Sequence, residues 1–254
     1  MFKQSRKIIK TNASIETHEG EIAFLLSLSS RRRSLVISVN ERAQVFVAAP
    51  HWMQKNEIND FIRQKAGWIK RKLSEAEKYK SYLQEKIFDQ DGEFLYLGKK
   101  YRIDLFVRNV KRVSVKFDGL RWLVFIPPGL SDKARQDLIK KKMTQWYRAQ
   151  AQEVLGGRIF YYSRIMGVAP KKIAVRTQKR VWGNCDYNTQ TIHLNWQIVL
   201  SPLDVVDYIV VHELCHLLVP DHSQRFWKKV EKILPDYKQQ VQWLKINALE
   251  MALP

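Results

Sequence analysis

His212 and His216 stand four positions apart, and Glu213 follows the first of them directly in the run His212-Glu213-Leu214-Cys215-His216. An α-helix repeats every 3.6 residues, so the two histidines fall one turn apart on the same face, where both imidazoles can reach one ion. Three of the six histidines in the chain lie within the eleven residues from 212 to 222. The spacing therefore predicts a helix that carries a metal site.

The segment around this motif is strongly apolar. Ser201-Pro202-Leu203-Asp204 is a helix-start signature, and the residues that follow predict a mostly buried helix. Its apolar residues are Val205, Val206, Ile209, Val210, Leu214, Leu217 and Leu218. Two histidines and a glutamate on such a helix are costly to bury unless they have partners, and a metal ion supplies that partner. Hydrogen-bonded core histidines beside an accidental glutamate are the weaker interpretation.

A third ligand is expected just after the helix. Pro220 disfavours helical geometry at the residue before it, so the chain must turn soon after His216. Asp221 or His222 can then swing back toward the ion. We favour His222, because a neutral imidazole suits zinc and Asp221 is equally explained as a turn or capping residue. Ser223 is predicted to be the N-cap of a second helix over residues 225–234.

Several further blocks surround the motif in a fixed order: Trp182-Gly183-Asn184-Cys185, Ile192-His193-Leu194-Asn195-Trp196, Asp221-His222-Ser223, Phe226-Trp227 and Leu234-Pro235-Asp236-Tyr237. With them, residues 176–237 resemble the YgjP-like family of zinc metallopeptidases, which is related to the WLM and SprT-like groups. The resemblance implies His212, His216 and His222 as metal ligands and Glu213 as the catalytic carboxylate. Asn184 and Cys215 depart from the expected serine and alanine. The histidine spacing equals that of metzincins, but Val219 stands where those enzymes have glycine.

These features predict a metallopeptidase that hydrolyses peptide bonds with one zinc ion. Glu213 is then the general base that takes a proton from the attacking water. Manganese, nickel or cobalt can also occupy histidine sites, so the sequence leaves the metal open. Tyr208, Asn195 and Arg225 are candidates for a second electrophile by proximity in sequence alone, and His193 is a weaker competing ligand. Three tryptophans of the region are predicted to be core residues: Trp182, Trp196 and Trp227.

The expected fold class is α+β. Residues 131–165 predict a long helix, residues 173–176 and 191–196 predict strands with a polar turn at 184–190 between them, and the metal helix and a further helix follow. This order is that of a zincin-like metallopeptidase core over residues 131–254. Residues 1–130 are predicted to form a basic, β-rich N-terminal region.

The N-terminal region contains a weak internal repeat. Residues about 31–73 and 111–148 share a pattern at a constant offset of 78 positions, which aligns Ile37 with Val115, Val47 with Phe125 and so on. Each unit predicts two strands followed by a basic amphipathic helix, a ββα unit. Residues 56–86 predict a long helix, and residues 93–107 predict strands. Duplication and coincidence between two ordinary ββα units both remain open.

The charge is unevenly distributed. Residues 1–148 carry a net charge of +15, whereas residues 149–254 carry +4. Basic clusters in the first part can follow a phosphate backbone, which makes a nucleic-acid-associated protein, or a DNA-associated peptidase of SprT-like type, the alternative function. A solvated basic surface explains the same clusters.

The lack of a recognisable targeting signal and the small number of cysteines predict a cytoplasmic protein without membrane contact. Residues 1–10 are basic but lack the apolar segment of a signal peptide, and residues 23–28 are too short to cross a bilayer. Two cysteines, Cys185 and Cys215, cannot build a disulfide framework and are expected to be reduced. A peptide or protein substrate is the expected partner, and the oligomeric state stays open.

Overall fold

The structure is a computed structural model, and it describes residues 8–40, 42–85, 87–178, 181–251 and 253, with backbone only for residues 8, 9, 80 and 82–85. The chain forms two compact units, Met1–Glu85 and Lys86–Pro254, and each has its own hydrophobic core. The boundary predicted between residues 130 and 131 lies inside the second unit. Most of the basic run at residues 1–10 lies outside the described residues.

The N-terminal unit is a four-stranded sheet followed by two helices. The sheet has the order β1-β2-β4-β3; β2 and β4 are parallel, and the two outer pairs are antiparallel. Alternate residues of β4 are buried, and they pack with isoleucines of the helices, as period-2 strands and amphipathic helices do. The elements are β1 (Ile8–Thr17), β2 (Gly20–Ser29), β3 (Val36–Val39), β4 (Val45–Pro50), α1 (Lys55–Gln64) and α2 (Ala66–Glu85).

The C-terminal unit begins with a sheet of the same topology. Its strands are β5 (Glu93–Tyr96), β6 (Lys99–Val107), β7 (Ser114–Phe117) and β8 (Trp122–Ile126), and the helix α3 (Asp132–Met166) follows them. The order is β5-β6-β8-β7; β6 and β8 are parallel, and the outer pairs are antiparallel. The arrangement of strand directions and the helix after the last strand are thus the same in the two units.

The constant offset of 78 between the two repeats is wrong after the hairpin turn. Ile37 pairs with Val47 in the first ladder, and Val115 pairs with Val124 in the second, so the offset is 78 for the first strand and 77 for the second. Val47 and Val124 are both fully buried, whereas Phe125 is half-buried. The cause is the turn, which has five residues at 40–44 and four at 118–121.

The remaining elements surround the histidine motif. They are β9 (Lys172–Arg176), β10 (Gly183–Asp186), β11 (Thr191–Asn195), a 3₁₀ helix (Trp196–Leu200), α4 (Leu203–His216), α5 (Gln224–Ile233) and α6 (Tyr237–Asn247). The sheet has the order β10-β11-β9, in which β11 is antiparallel to β10 and parallel to β9. The helix α4 packs against α3 on one side and against β10, α5 and α6 on others. The motif helix is therefore held at the centre of this part of the unit.

An ion pair joins α3 to α4. Arg158 Nη2 donates to Asp207 Oδ2 at 2.6 Å and Arg158 Nε donates to Asp207 Oδ1, which is a bidentate arrangement. Asp207 lies five residues before His212 and is 9 % exposed. Such a paired, mostly buried charge fixes the rotation and height of α4 on α3, because breaking the pair leaves an uncompensated charge.

The sequence predicts several of these elements and misses others. The predicted helix over 131–165 is confirmed by α3, whose N-cap Ser131 accepts a hydrogen bond from the backbone of Ala134. The single helix predicted over 56–86 is wrong, because the chain breaks at Lys65 between α1 and α2, and its last residue lies outside the described part. The polar turn predicted at 184–190 is wrong in its first half, where β10 pairs with β11. Together the described residues form a mixed α/β structure with small sheets and six α-helices.

None of the helices in the described part of the chain is both long and apolar enough to cross a bilayer.

Candidate metal centre

The helix α4 presents His212 and His216 one turn apart, as their spacing predicts. Helical hydrogen bonding continues as far as the backbone NH of Val219, which donates to the Cys215 carbonyl at 2.9 Å, and Pro220 then ends it. The short connection to α5 brings His222 back over the end of α4. The predicted turn after Pro220 and the predicted second helix are thus both present.

The three imidazoles point their Nε2 atoms at one another. The Nε2 of His222 lies 3.1 Å from that of His212 and 3.2 Å from that of His216. These ligand atoms all lie within 4.8 Å of one another, and the three residues form a cluster of possible metal ligands among the described side chains. With Zn–N bonds of about 2.0–2.1 Å, ligand atoms at the corners of a tetrahedron are about 3.3–3.4 Å apart. The two measured separations, from His222 to His212 and to His216, are close to this edge length.

The outward nitrogens of the same rings have partners of their own. His216 Nδ1 lies 3.2 Å from the Val219 carbonyl oxygen, to which it donates as an NH, and this tautomer leaves the Nε2 lone pair free. The Tyr208 hydroxyl lies 3.5 Å from Nδ1 of His212, which is a long contact. Ligands in metal sites are commonly oriented by such outer partners.

The environment favours the neutral form of two of these histidines, His212 and His216. Burial, together with the nearby His216 and His222, lowers the pKa of His212 to about 3. Burial also lowers the pKa of His216, partly opposed by the hydrogen bond to Val219. Neutral imidazole is the form that binds a metal ion, so burial prepares these two side chains for one.

Glu213 lies on the same helix and faces β10. Its side chain is buried, with 4 % of the residue exposed, and its Oε2 is buried without a hydrogen-bond partner. This burial raises the pKa of Glu213 to about 8. A buried carboxyl group without a partner is costly, and a nearby cation would favour its ionised form.

Aromatic rings enclose the histidine cluster. The ring of Phe226, which is fully buried, lies 4.9 Å from His212, 4.5 Å from His216 and 4.9 Å from His222 between centroids. Trp227 stacks on His222 at 5.7 Å, and Tyr237 stacks on Trp227 at 5.4 Å. Phe226 and Trp227, near the start of α5, therefore cover a face of the histidine cluster that α4 leaves open.

The structure leaves the other candidate residues outside the cluster. The Oδ1 of Asp221 accepts the backbone NH of Ser223 at 3.1 Å, which is the turn role considered for it. His193 lies in β11, opposite Asn184 of β10, and its Nδ1 is buried without a partner. The Asn195 side chain caps the 3₁₀ helix through the backbone NH of Gln197.

Two further candidates have other surroundings. The Tyr208 hydroxyl faces His212, as described above. Arg225 lies with Lys228, Lys229 and Lys232 along an open groove of about 480 Å³ on the surface of α5. Both cysteines are free; Cys215 is fully buried, and burial together with Glu213 and Asp186 raises the pKa of Cys185 to about 11.

Sequence reasoning misses three residues that shape this centre. Trp196 is buried as predicted, but Trp227 is half-buried and stacks on His222 rather than serving only as core. Phe226 lies on the apolar face of α5, which predicts burial but not contact with the ligands. Gly183 touches Glu213, and only its position in the block Trp182-Gly183-Asn184-Cys185 hints at a role.

Comparison with known proteins identifies the family of this chain. The family model described as YgjP-like, metallopeptidase domain, matches residues 33–247. The chain belongs to the YgjP-like family. Members of a metallopeptidase family are hydrolases that use a divalent metal ion and act on peptides or proteins. The YgjP-like match therefore assigns this chain the general activity of a metal-dependent peptidase. The resemblance seen in the sequence is thereby confirmed.

One solved structure similar to this YgjP-like chain is that of the metallopeptidase zymogen of Pyrococcus abyssi abylysin. It shares 24 % sequence identity, with a TM-score of 0.34, and the match covers 36 % of this chain and 92 % of that chain. No curated protein matches the sequence.

Proposed function

We propose that the chain is a zinc-dependent metallopeptidase in which His212, His216 and His222 bind one zinc ion and Glu213 is the general base. The convergence of three Nε2 atoms, with separations of 3.1 and 3.2 Å, carries this proposal. Histidine nitrogen is a preferred zinc ligand, and a site with three protein ligands keeps a fourth position open, as catalytic zinc sites do. A structural zinc site would need a fourth protein ligand, and it would have no use for the adjacent carboxylate of Glu213.

The surrounding side chains define the chemistry. When bound, the ion supplies Lewis-acid chemistry, which acidifies a water molecule and polarises the peptide carbonyl. The carboxylate of Glu213 accepts the proton of the attacking water and can return it to the leaving amine. Its Oε2 has no other hydrogen-bond partner, so the oxygen is free for this exchange. Phe226 and Trp227 exclude water from one side of the histidines and restrict their motion.

We further propose that the core is zincin-like. The chain order of α3, the β9–β11 sheet, α4 and α5 supports this proposal. The strand β10 lies at the edge of that sheet and packs against α4. An extended peptide that adds to this edge would have its backbone aligned beside Glu213, because strand addition fixes the register of main-chain carbonyls.

The nucleic-acid alternative receives no support from the family match, and no contact among the described residues favours it. We therefore propose no nucleic-acid partner.

Metal reconstitution tests the proposal. The protein is stripped with a chelator, reloaded separately with zinc, cobalt, manganese or nickel, and mixed with a library of internally quenched fluorescent peptides. We expect one zinc ion per chain and cleavage that returns with zinc, while His216→Ala has neither. A stripped protein that cleaves as well as the reloaded one, or a reloaded protein without cleavage of any library peptide, would overturn the proposal.

A further inference from the structure

Gly183 of β10 lies against the side chain of Glu213. A Cβ atom placed on Gly183 would be 2.6 Å from Oε1, 2.8 Å from Cγ and 2.9 Å from Cδ of Glu213. Carbon atoms in contact prefer separations of about 3.5–4.0 Å. Any side chain at position 183 would therefore overlap the carboxylate by roughly 1 Å.

Space, rather than backbone conformation, explains this glycine. The φ angle of Gly183 is not positive, so its backbone conformation is open to any residue. Glycine weakens a strand, and an interior strand glycine commonly marks the close approach of another group. Here that group is the proposed general base.

The backbones on both sides of this contact are fixed. Gly183 pairs with Leu194 in the β10–β11 ladder, and the backbone NH of Asn195 donates to the Trp182 carbonyl at 2.8 Å. On the other side, the ion pair between Arg158 and Asp207 holds α4 to α3. The group that can move most easily is the carboxylate end of Glu213.

We propose that Gly183 is a positioning residue: its lack of a side chain lets β10 approach α4 and sets where the Glu213 carboxylate lies. The inference rests on the proposed role of Glu213 as general base. Gly183 itself supplies neither a metal ligand nor a proton acceptor in this scheme. Substitution of Gly183 should displace the Glu213 carboxylate and leave the three histidines in place.

Gly183→Ala is the direct test. Because misplacement of a catalytic group by about 1 Å can cost a hundredfold in rate, we expect kcat to fall on the order of 10- to 100-fold. KM and the zinc affinity should change little. The matched control is Gly157→Ala in α3, where an added Cβ meets no atom within 4 Å, and it should keep full activity.

A second background separates positioning from general damage. Glu213→Ala removes Cγ, Cδ and Oε1 together, so an alanine at 183 no longer meets any of these three atoms. In that background Gly183→Ala should change the residual kcat and the free energy of unfolding little or not at all, since residues that act through one contact are not additive. A crystal structure of Gly183→Ala should show the Glu213 carboxylate displaced and the histidines unmoved.

Several results would overturn the inference: unchanged kcat in Gly183→Ala, an equal loss in the wild-type and Glu213→Ala backgrounds, lost zinc affinity, or failure of the variant to fold. The proposed function fails separately, if Glu213→Gln keeps full turnover on the quenched peptide library. The crystal structure of Gly183→Ala still tests the steric claim in that case, because it requires no activity.

Discussion

Replacement of Phe226 by leucine should weaken zinc binding as well as destabilise the fold. Phe226 is fully buried, and its ring contacts all three histidine rings at centroid distances of 4.5 to 4.9 Å. Leucine fills part of the same space but has no flat face against which the imidazoles can rest. The three ligands should then lose much of their shared support.

The magnitude follows from these contacts. Buried aromatic pairs are worth about 0.5–1.5 kcal/mol each, so three of them contribute about 1.5–4.5 kcal/mol. Leucine retains part of the contact, and we expect a loss of about 1–2 kcal/mol in the free energy of unfolding of the metal-free protein. Loss of support around metal ligands typically costs 10- to 100-fold in affinity, and we expect roughly tenfold weaker zinc binding.

Phe94→Leu is the matched control. Phe94 lies in β5, is also fully buried, and stacks on Phe88 at 4.6 Å. Denaturant unfolding of the metal-free proteins gives the stability, and competition with a chromophoric chelator gives the zinc affinity. Similar stability losses with weaker zinc binding in Phe226→Leu alone are expected. Equal zinc affinities in the two variants would refute the supporting role of Phe226.

Three other predictions concern the surroundings of the cluster. Tyr208→Phe removes the hydroxyl that lies 3.5 Å from Nδ1 of His212. Because this contact is long, zinc affinity in the same competition assay should fall by about tenfold at most, and a larger loss would mean that the hydroxyl has a further role. Asp207→Asn breaks the partly exposed ion pair with Arg158 and should lower the free energy of unfolding in urea by about 2 kcal/mol, less than the loss of a fully buried pair. No measurable change would contradict the role of this pair in fixing α4. Zinc at about a thousand times its dissociation constant should stabilise the wild-type protein by about 4 kcal/mol in thermal or urea unfolding, and an equal gain in His216→Ala would place the ion elsewhere.

Local patterns in the sequence account for the helix α4 and the histidines that converge at its end. The spacing of His212 and His216 fixes a shared helical face, and Pro220 fixes where the chain must turn, so two local rules bring Asp221 or His222 back toward that face. The long helix α3 is equally local, since it has an N-cap at Ser131 and a glycine with positive φ at its C-terminus, Gly167. Such features depend on neighbours in sequence and are visible there.

Features that depend on packing between distant segments are not visible in the same way. The strand β10 has the sequence Gly-Asn-Cys-Asp, which has low strand propensity, and it forms because β11 lies beside it. The break at Lys65 leaves its NH shared between the carbonyls of Phe61 and Ile62, and no proline marks it. The one-residue change between the two hairpin turns shifts Val124 into the place where the repeat pattern put Phe125. Local sequence carries no record of the partner in any of these cases.

The site shows the same limit. The sequence identifies the residue types that can bind a metal, but the contact of Phe226 with three ligands and of Gly183 with Glu213 requires α5 and β10 to be placed on α4. Burial of Glu213 without a partner also depends on that placement.

Glu213→Gln tests the central claim most directly, because it keeps the shape of the side chain and removes its ability to accept a proton. Metal content and cleavage of the quenched peptide library are measured on the same preparations of this variant and of wild type. We expect one zinc ion per chain in both proteins and loss of cleavage in Glu213→Gln alone. Undiminished cleavage by Glu213→Gln with its zinc retained would contradict the general-base mechanism.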